Sequence, residues 1–90
     1  MKKHINITVT GRVQGVGFRY SAQEEAEELG IKGFVRNMPD GSVYIEAEGE
    51  EEDLLRFIDW CRQGPGYAHV KDLLIQEAPL GHFSDFEIRR

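Results

Sequence analysis

Residues 11–20 read G-R-V-Q-G-V-G-F-R-Y and bring three glycines and two arginines into one short stretch. Glycine tolerates positive φ and lets a ligand come close to the main chain. A strand that runs into Q-G-V-G and leaves as a helix presents successive backbone N–H groups in a concave turn. The helix N-terminus adds unpaired donors and partial positive charge. Such a turn can hold an anion, and Arg19 at its far edge supplies a planar, permanently charged fork suited to tetrahedral oxyanions. The loop lacks the G-K-[ST] ending and the third glycine of G-x-G-x-x-G, so a whole nucleotide is not implied. On spacing alone a second reading stands beside this one: a tight strand-to-helix turn, with Arg19 solvated or paired with a nearby Glu.

Other residues able to do chemistry are scattered. His4, His69 and His82 show no spacing of a metal pair or of a nucleophile and its base, and read as surface or structural residues. Cys61 is the single cysteine, so no internal disulfide and no cysteine-based metal site can form, and its helical neighbourhood makes it a buried small hydrophobe. Asn37 precedes Met38-Pro39 and reads locally as a turn residue, although its amide can both donate and accept hydrogen bonds. Arg12 and Arg36 read first as solvated charges on strand faces, with help in drawing anions as the second reading. Thr10, Ser21 and Ser42 are candidates for supporting the loop through hydrogen bonds.

These groups need elements to position them. Ile5, Ile7, Val9 and Val13 alternate with Asn6, Thr8, Thr10 and Arg12, predicting a half-buried strand over residues 4–13. Phe18, Ala22, Ala26 and Leu29 then recur at helical spacing up to a stop at Gly30. Ser21 with Glu24 forms a capping-box pattern that would start this helix later, but Phe18 shares the alanine stripe and favours the earlier start. Strands are predicted over 31–37 and 42–48, joined by the tight turn Met38-Pro39-Asp40-Gly41. Glu50 to Asp53 opens a second helix, where acidic residues oppose the positive end of the dipole. That helix carries an apolar stripe of Leu54, Phe57, Ile58 and Cys61 and ends at Gly64-Pro65-Gly66. Two last strands are predicted over 70–77 and 83–89. The order is β-α-β-β-α-β with an additional C-terminal strand, an α+β sandwich with two helices on one face of a mostly antiparallel, ferredoxin-like sheet. That superfold serves enzymes, RNA binders and regulatory modules alike, so the site must decide function.

With 90 residues the chain is expected to form one domain, 1–90, burying roughly 60% of its unfolded surface. Its formal charge of −5 speaks against nucleic acid as a bulk partner, so an anion must be captured locally. No apolar run approaches the roughly 20 residues that cross a bilayer, and no signal peptide opens the chain. The expectation is a cytoplasmic monomer with no membrane partner.

Taken together, the two longest motifs resemble a known family. G-R-V-Q-G-V-G-F-R at 11–19 and G-F-V-R-N-M-P-D-G-S-V at 33–43 look like the signature pair of the acylphosphatases. The likeness extends through A-E-G at 47–49, G-P at 64–65 and F-E-I-R at 86–89. It implies a metal-free, cofactor-free hydrolase of the carboxyl-phosphate bond, with strand order 4-1-3-2-5. Carried over, the family's catalytic residues fall on Arg19 and Asn37, and its phosphate-binding loop on Gln14, Gly15, Val16, Gly17 and Phe18, ending at Arg19. Gly66-Tyr67 and Phe34 depart from the family's commoner residues, at positions that concern packing or the rim. The chemistry suits so sparse a site. An acyl phosphate leaves as a carboxylate of pKa near 4, so no general acid is required, and what remains is positioning and charge stabilisation. In this reading Arg19 and the loop bind the phosphate while Asn37 holds the attacking water. No position is assigned to the acyl group.

Two other functions suit a fold of this kind. One is a non-catalytic acyl- or carbamoyl-phosphate-binding module of a larger carbamoyl-transfer system, against which the ending of the chain at Arg90 argues. The other is an RNA-binding sheet, where Glu46 and Glu48 beside Tyr44 would repel the ligand.

Overall fold

The computed structural model describes residues 1–90. Its elements are β1 (Lys2–Arg12), α1 (Phe18–Glu28), β2 (Lys32–Asn37), β3 (Val43–Glu50), α2 (Glu51–Gln63), β4 (His69–Ala78) and β5 (Phe86–Arg89). The strands form one sheet of order β4-β1-β3-β2-β5. All neighbours run antiparallel except β2 and β5. This is the ferredoxin-like order with the extra C-terminal strand.

Periodicity explains the packing. Along β1 the residues Ile5, Ile7 and Val9 face the helices, and they meet Val35 from β2 and Val43, Ile45 and Ala47 from β3 in one core. The helices complete that core with Phe18, Ala22 and Ala26 from α1 and Leu54, Phe57 and Cys61 from α2. Alanine at two of the α1 positions lets that helix lie close to the strands beneath it. α1 begins at Phe18, as its apolar stripe requires, and the capping-box start at Ser21 is not used. Burial pushes the Cys61 thiol pKa up, in keeping with an inert packing role. A bulge between Thr10 and Gly11 shifts the β1–β4 register, so that Arg12 comes to face His69. Gly11 sits there at φ 123°, where a Cβ would lie 2.2 Å from the His69 carbonyl oxygen.

One expectation needs correction. The last strand begins at Phe86 rather than Phe83, because the residues before it are engaged elsewhere. β4 and β5 lie at opposite edges, and the chain between them crosses the sheet on the face away from the helices as a strap. The Glu48 carboxylate of β3 accepts the backbone N–H groups of Gly81, His82 and Phe83, the latter two at 3.2 and 3.1 Å. His4 Nδ1–H donates to the Pro79 carbonyl at 2.6 Å. The Phe83 ring meets His4 and Phe34 at centroid distances of 5.3 and 6.1 Å. Those N–H groups therefore serve a carboxylate instead of a neighbouring strand. Burial alone would raise the Glu48 pKa, but the three N–H donors outweigh it and hold the carboxyl below its ordinary value.

Candidate functional site

The connection from β1 to α1 takes its shape from two glycines. Gly15 and Gly17 adopt φ of 74° and 76°, and no atom lies within 4 Å of where either Cβ would be. The requirement is thus conformational and not steric: an L side chain would be strained in the left-handed region even with room to spare. Between and after them, Val16 packs against the core and Phe18 is buried against Trp60, with ring centroids 5.3 Å apart. The loop alternates glycine, which frees the main chain, with apolar anchors that hold it down.

The loop also leaves donors free. The first four N–H groups of a helix have no partner inside it, and α1 has no side-chain cap. Outside the regular ladders, no backbone N–H between Gly15 and Tyr20 donates to a protein atom. The partial positive charge of the helix end lies at the same place.

Opposite stands the β2–β3 hairpin, whose turn is fixed by a network of its own. Met38 N–H donates to Ser42 O at 2.9 Å, and Gly41 N–H to Met38 O at 3.1 Å. The Asp40 carboxylate accepts the Ser42 hydroxyl at 2.6 Å and the Ser42 N–H at 2.9 Å. These bonds hold the Asp40 pKa below its ordinary value, the hydroxyl contributing most. The Gln14 amide ties this turn to the loop, since its Nε2 donates to both Met38 O and Ser42 O at 2.8 Å. Gln14 therefore spends its side-chain donor on the hairpin. No local signal in the sequence announced that tether.

A cleft of about 140 Å³ opens between the two motifs, lined by Val13, Gly15, Gly17, Phe18, Arg19, Tyr20 and Asn37. It brings together residues separated by some twenty positions in the chain. Arg19 has no carboxylate partner, and its Nη1 donates to the Arg89 carbonyl of β5 at 3.3 Å. One end of the guanidinium is thus anchored by backbone while its charge stays uncompensated. Gln14 and Val16 do not line this cleft. Arg36 is half-buried rather than solvated, with its Nε lacking a hydrogen-bond partner. No three His, Cys, Asp or Glu side chains gather to hold a metal ion.

On the opposite sheet face the aromatic side chains are already engaged within the protein. Tyr44 donates its hydroxyl to Glu46 at 2.9 Å, and burial, with that carboxylate second, pushes its pKa up to about 12. Phe34 is covered by Phe83 and by the Arg89 guanidinium, 3.9 Å from its ring centre. The aromatics that could stack on bases are buried beneath the strap or tied to carboxylates.

Comparison with known proteins gives the family and the fold. A family model described as Acylphosphatase matches residues 5–88. An acylphosphatase of Actinobacillus succinogenes is 51% identical over 84 residues, covering 92% of this chain and 93% of its own. One of Methylococcus capsulatus is 46% identical over 89 residues, covering 98% and 97%. The crystal structure of acylphosphatase from Bacillus subtilis superposes with a TM-score of 0.95 at 40% identity, covering 100% of both chains. Full-length HypF, in a phosphate- and nucleotide-bound crystal structure, contains a similar unit: TM-score 0.90, 30% identity, all of this chain but 12% of that one.

Proposed function

The chain belongs to the acylphosphatase family and hydrolyses acyl phosphates, and we propose that Arg19, Asn37 and the main chain of Gln14–Phe18 carry the reaction. The observation that supports this reading is the shared cleft: Asn37 on one wall, and on the other Arg19 with a loop of unpartnered N–H groups.

The loop N–H groups and the Arg19 guanidinium bind the phosphoryl oxygens, and they stabilise the charge spread over those oxygens in the transition state. The Asn37 amide accepts one hydrogen bond from the attacking water and donates another to orient it. A P–O bond forms from the water while the P–O bond to the acyl oxygen breaks. The acyl group leaves as a carboxylate with that bonding pair, and the water's two protons stay with the inorganic phosphate. No side chain gains or loses a proton, which suits a site built from a guanidinium and an amide. Metal and cofactor have no part in this scheme.

The Gln14 tether sets the distance between phosphate and water, because it fixes the hairpin to the loop one residue after Asn37. We further infer that residues 1–90 act as a single-domain monomer in the cytoplasm. The −5 charge and the covered sheet face support the absence of a nucleic-acid partner. The alternative, a non-catalytic acyl- or carbamoyl-phosphate-binding module of a larger system, is separated from catalysis by assay. With benzoyl phosphate and excess EDTA, turnover is expected to persist, and Arg19→Ala is expected to raise KM and the inhibition constant of inorganic phosphate while lowering kcat. Activity abolished by the chelator would refute the metal-free scheme. Tight phosphate binding without turnover would favour the binding module.

A further inference from the structure

A second cleft, of about 330 Å³, adjoins the first across the phosphate loop. Its walls are Arg12 at the end of β1, His69 at the start of β4, Gly66 and Tyr67 from the connection after α2, and Gly15 and Val16 of the loop. Gly15 lines both spaces, so a ligand seated on the loop N–H groups can extend from one into the other. Asn37 lines only the first.

We propose that this second cleft receives the acyl group, and that it selects acyl phosphates whose acyl group carries an anionic substituent at its far end. The proposal rests on the phosphoryl-transfer scheme above, because that scheme fixes a direction. Attacking and leaving oxygens lie on opposite sides of phosphorus in an in-line displacement. Asn37 belongs to β2, which β3 separates from β1, and β4 lies on the far side of β1. Water held by Asn37 attacks from the β2 side, and the acyl oxygen departs toward the β1–β4 edge, where the second cleft opens.

The lining gives the chemical class. Arg12 is exposed and takes part in none of the molecule's ion pairs. No carboxylate lines the cleft, although the protein as a whole carries a charge of −5. An unpaired guanidinium in a concave wall offers two parallel N–H donors to a carboxylate or phosphate. The bulge at Thr10/Gly11 sets this arrangement, since the register it creates puts His69 directly beside Arg12. Tyr67, 84% exposed at the rim, presents an apolar ring face to the body of the acyl group.

The test compares benzoyl phosphate with 4-carboxybenzoyl phosphate, whose rigid ring keeps the carboxylate from attacking the anhydride internally. At low ionic strength the parent protein should show a KM for the carboxylated substrate about three- to fivefold lower, the range of an exposed ion pair, with the ratio approaching one in high salt. Arg12→Gln should bring the ratio to about one and Arg12→Glu should invert it. Arg56→Gln, which removes the same charge from the outer face of α2, should keep the parental ratio. Equal KM values in the parent, or an unchanged ratio in Arg12→Glu, would overturn the subsite while leaving the hydrolase reading intact. Failure to hydrolyse either substrate would overturn both.

Discussion

Truncation of Asn37 to alanine separates the two halves of the proposed mechanism. The side chain lines the cleft, but none of the bonds that hold the hairpin uses it: Met38, Asp40, Gly41 and Ser42 bond among themselves, and Gln14 holds the carbonyls of Met38 and Ser42. The backbone should therefore survive, and Asn37→Ala should unfold within a degree or two of the parent. Nor is any charge removed, so inorganic phosphate, held by Arg19 and the loop, should inhibit with a constant changed less than about twofold. In the proposed mechanism, what is lost is the group that orients the nucleophile. Removing one preorganised polar group of this kind costs about 2.7–4 kcal/mol, which is about 10²–10³ in kcat. Steady-state hydrolysis of benzoyl phosphate with phosphate as competitive inhibitor reads both quantities from one preparation. A kcat within about threefold of the parent would refute the water-holding role. A phosphate inhibition constant rising in step with the loss of rate would show that Asn37 acts on ligand binding instead.

Three further outcomes follow from other parts of the structure. Gln14→Ala removes two half-buried bonds and should cost about 1–3 kcal/mol, with kcat falling because hairpin and loop drift apart. Gln14→Glu, the same size without the donor, should fail to rescue it, and a Gln14→Glu protein with parental kcat and melting temperature would refute the tether. At Gly17 an added Cβ meets open space at φ 76°, so Gly17→Ala should cost only the left-handed penalty of about 1–2 kcal/mol, or about 4–8 °C of melting temperature per kcal/mol. Gly17→Asn should cost less, and equal melting temperatures for the two would refute a conformational cause. Glu48 has a folded pKa below its ordinary value of 4.5, so its contribution is complete above that pH and is lost as pH falls through the lowered value. Glu48→Gln puts an NH₂ in place of one of the two accepting oxygens, so at least one of the three backbone N–H groups faces another donor, and its melting temperature should trail the parent's most at neutral pH. A gap that does not shrink below about pH 4 would refute this.

Much of this structure could be read from local pattern, and the remainder has a common physical character. The alternation in β1 and the four-residue stripe of α1 located those elements because one face of each meets the core, and burial is what writes such periods into a sequence. Gly15 and Gly17 were legible because few residue types suit their backbone. Glu48 was not: alternation placed it on the outer face, as a charge that would repel RNA, whereas it is fully buried under the strap. Its partners are backbone N–H groups more than thirty positions away, and main-chain donors leave no residue-type signal. The same holds for the Gln14 tether and for Arg19, whose acceptor is the Arg89 carbonyl seventy residues on. The late start of β5 belongs with these, since Phe83 has the composition of a strand residue and is diverted by contacts with His4 and Phe34.

The strap also bears on the order of assembly. β5 pairs only with β2, and the chain that delivers it must cross β1 and β3, to which it is fastened through His4 and Glu48. That surface exists only once β1 and β3 have paired, which itself joins residues some forty positions apart, a long-range closure of the kind that slows folding. β5 in turn carries the carbonyl that steadies Arg19. The anchor of Arg19 therefore depends on the completed sheet, because the strand that supplies it has a place only once β1, β3 and β2 are in theirs.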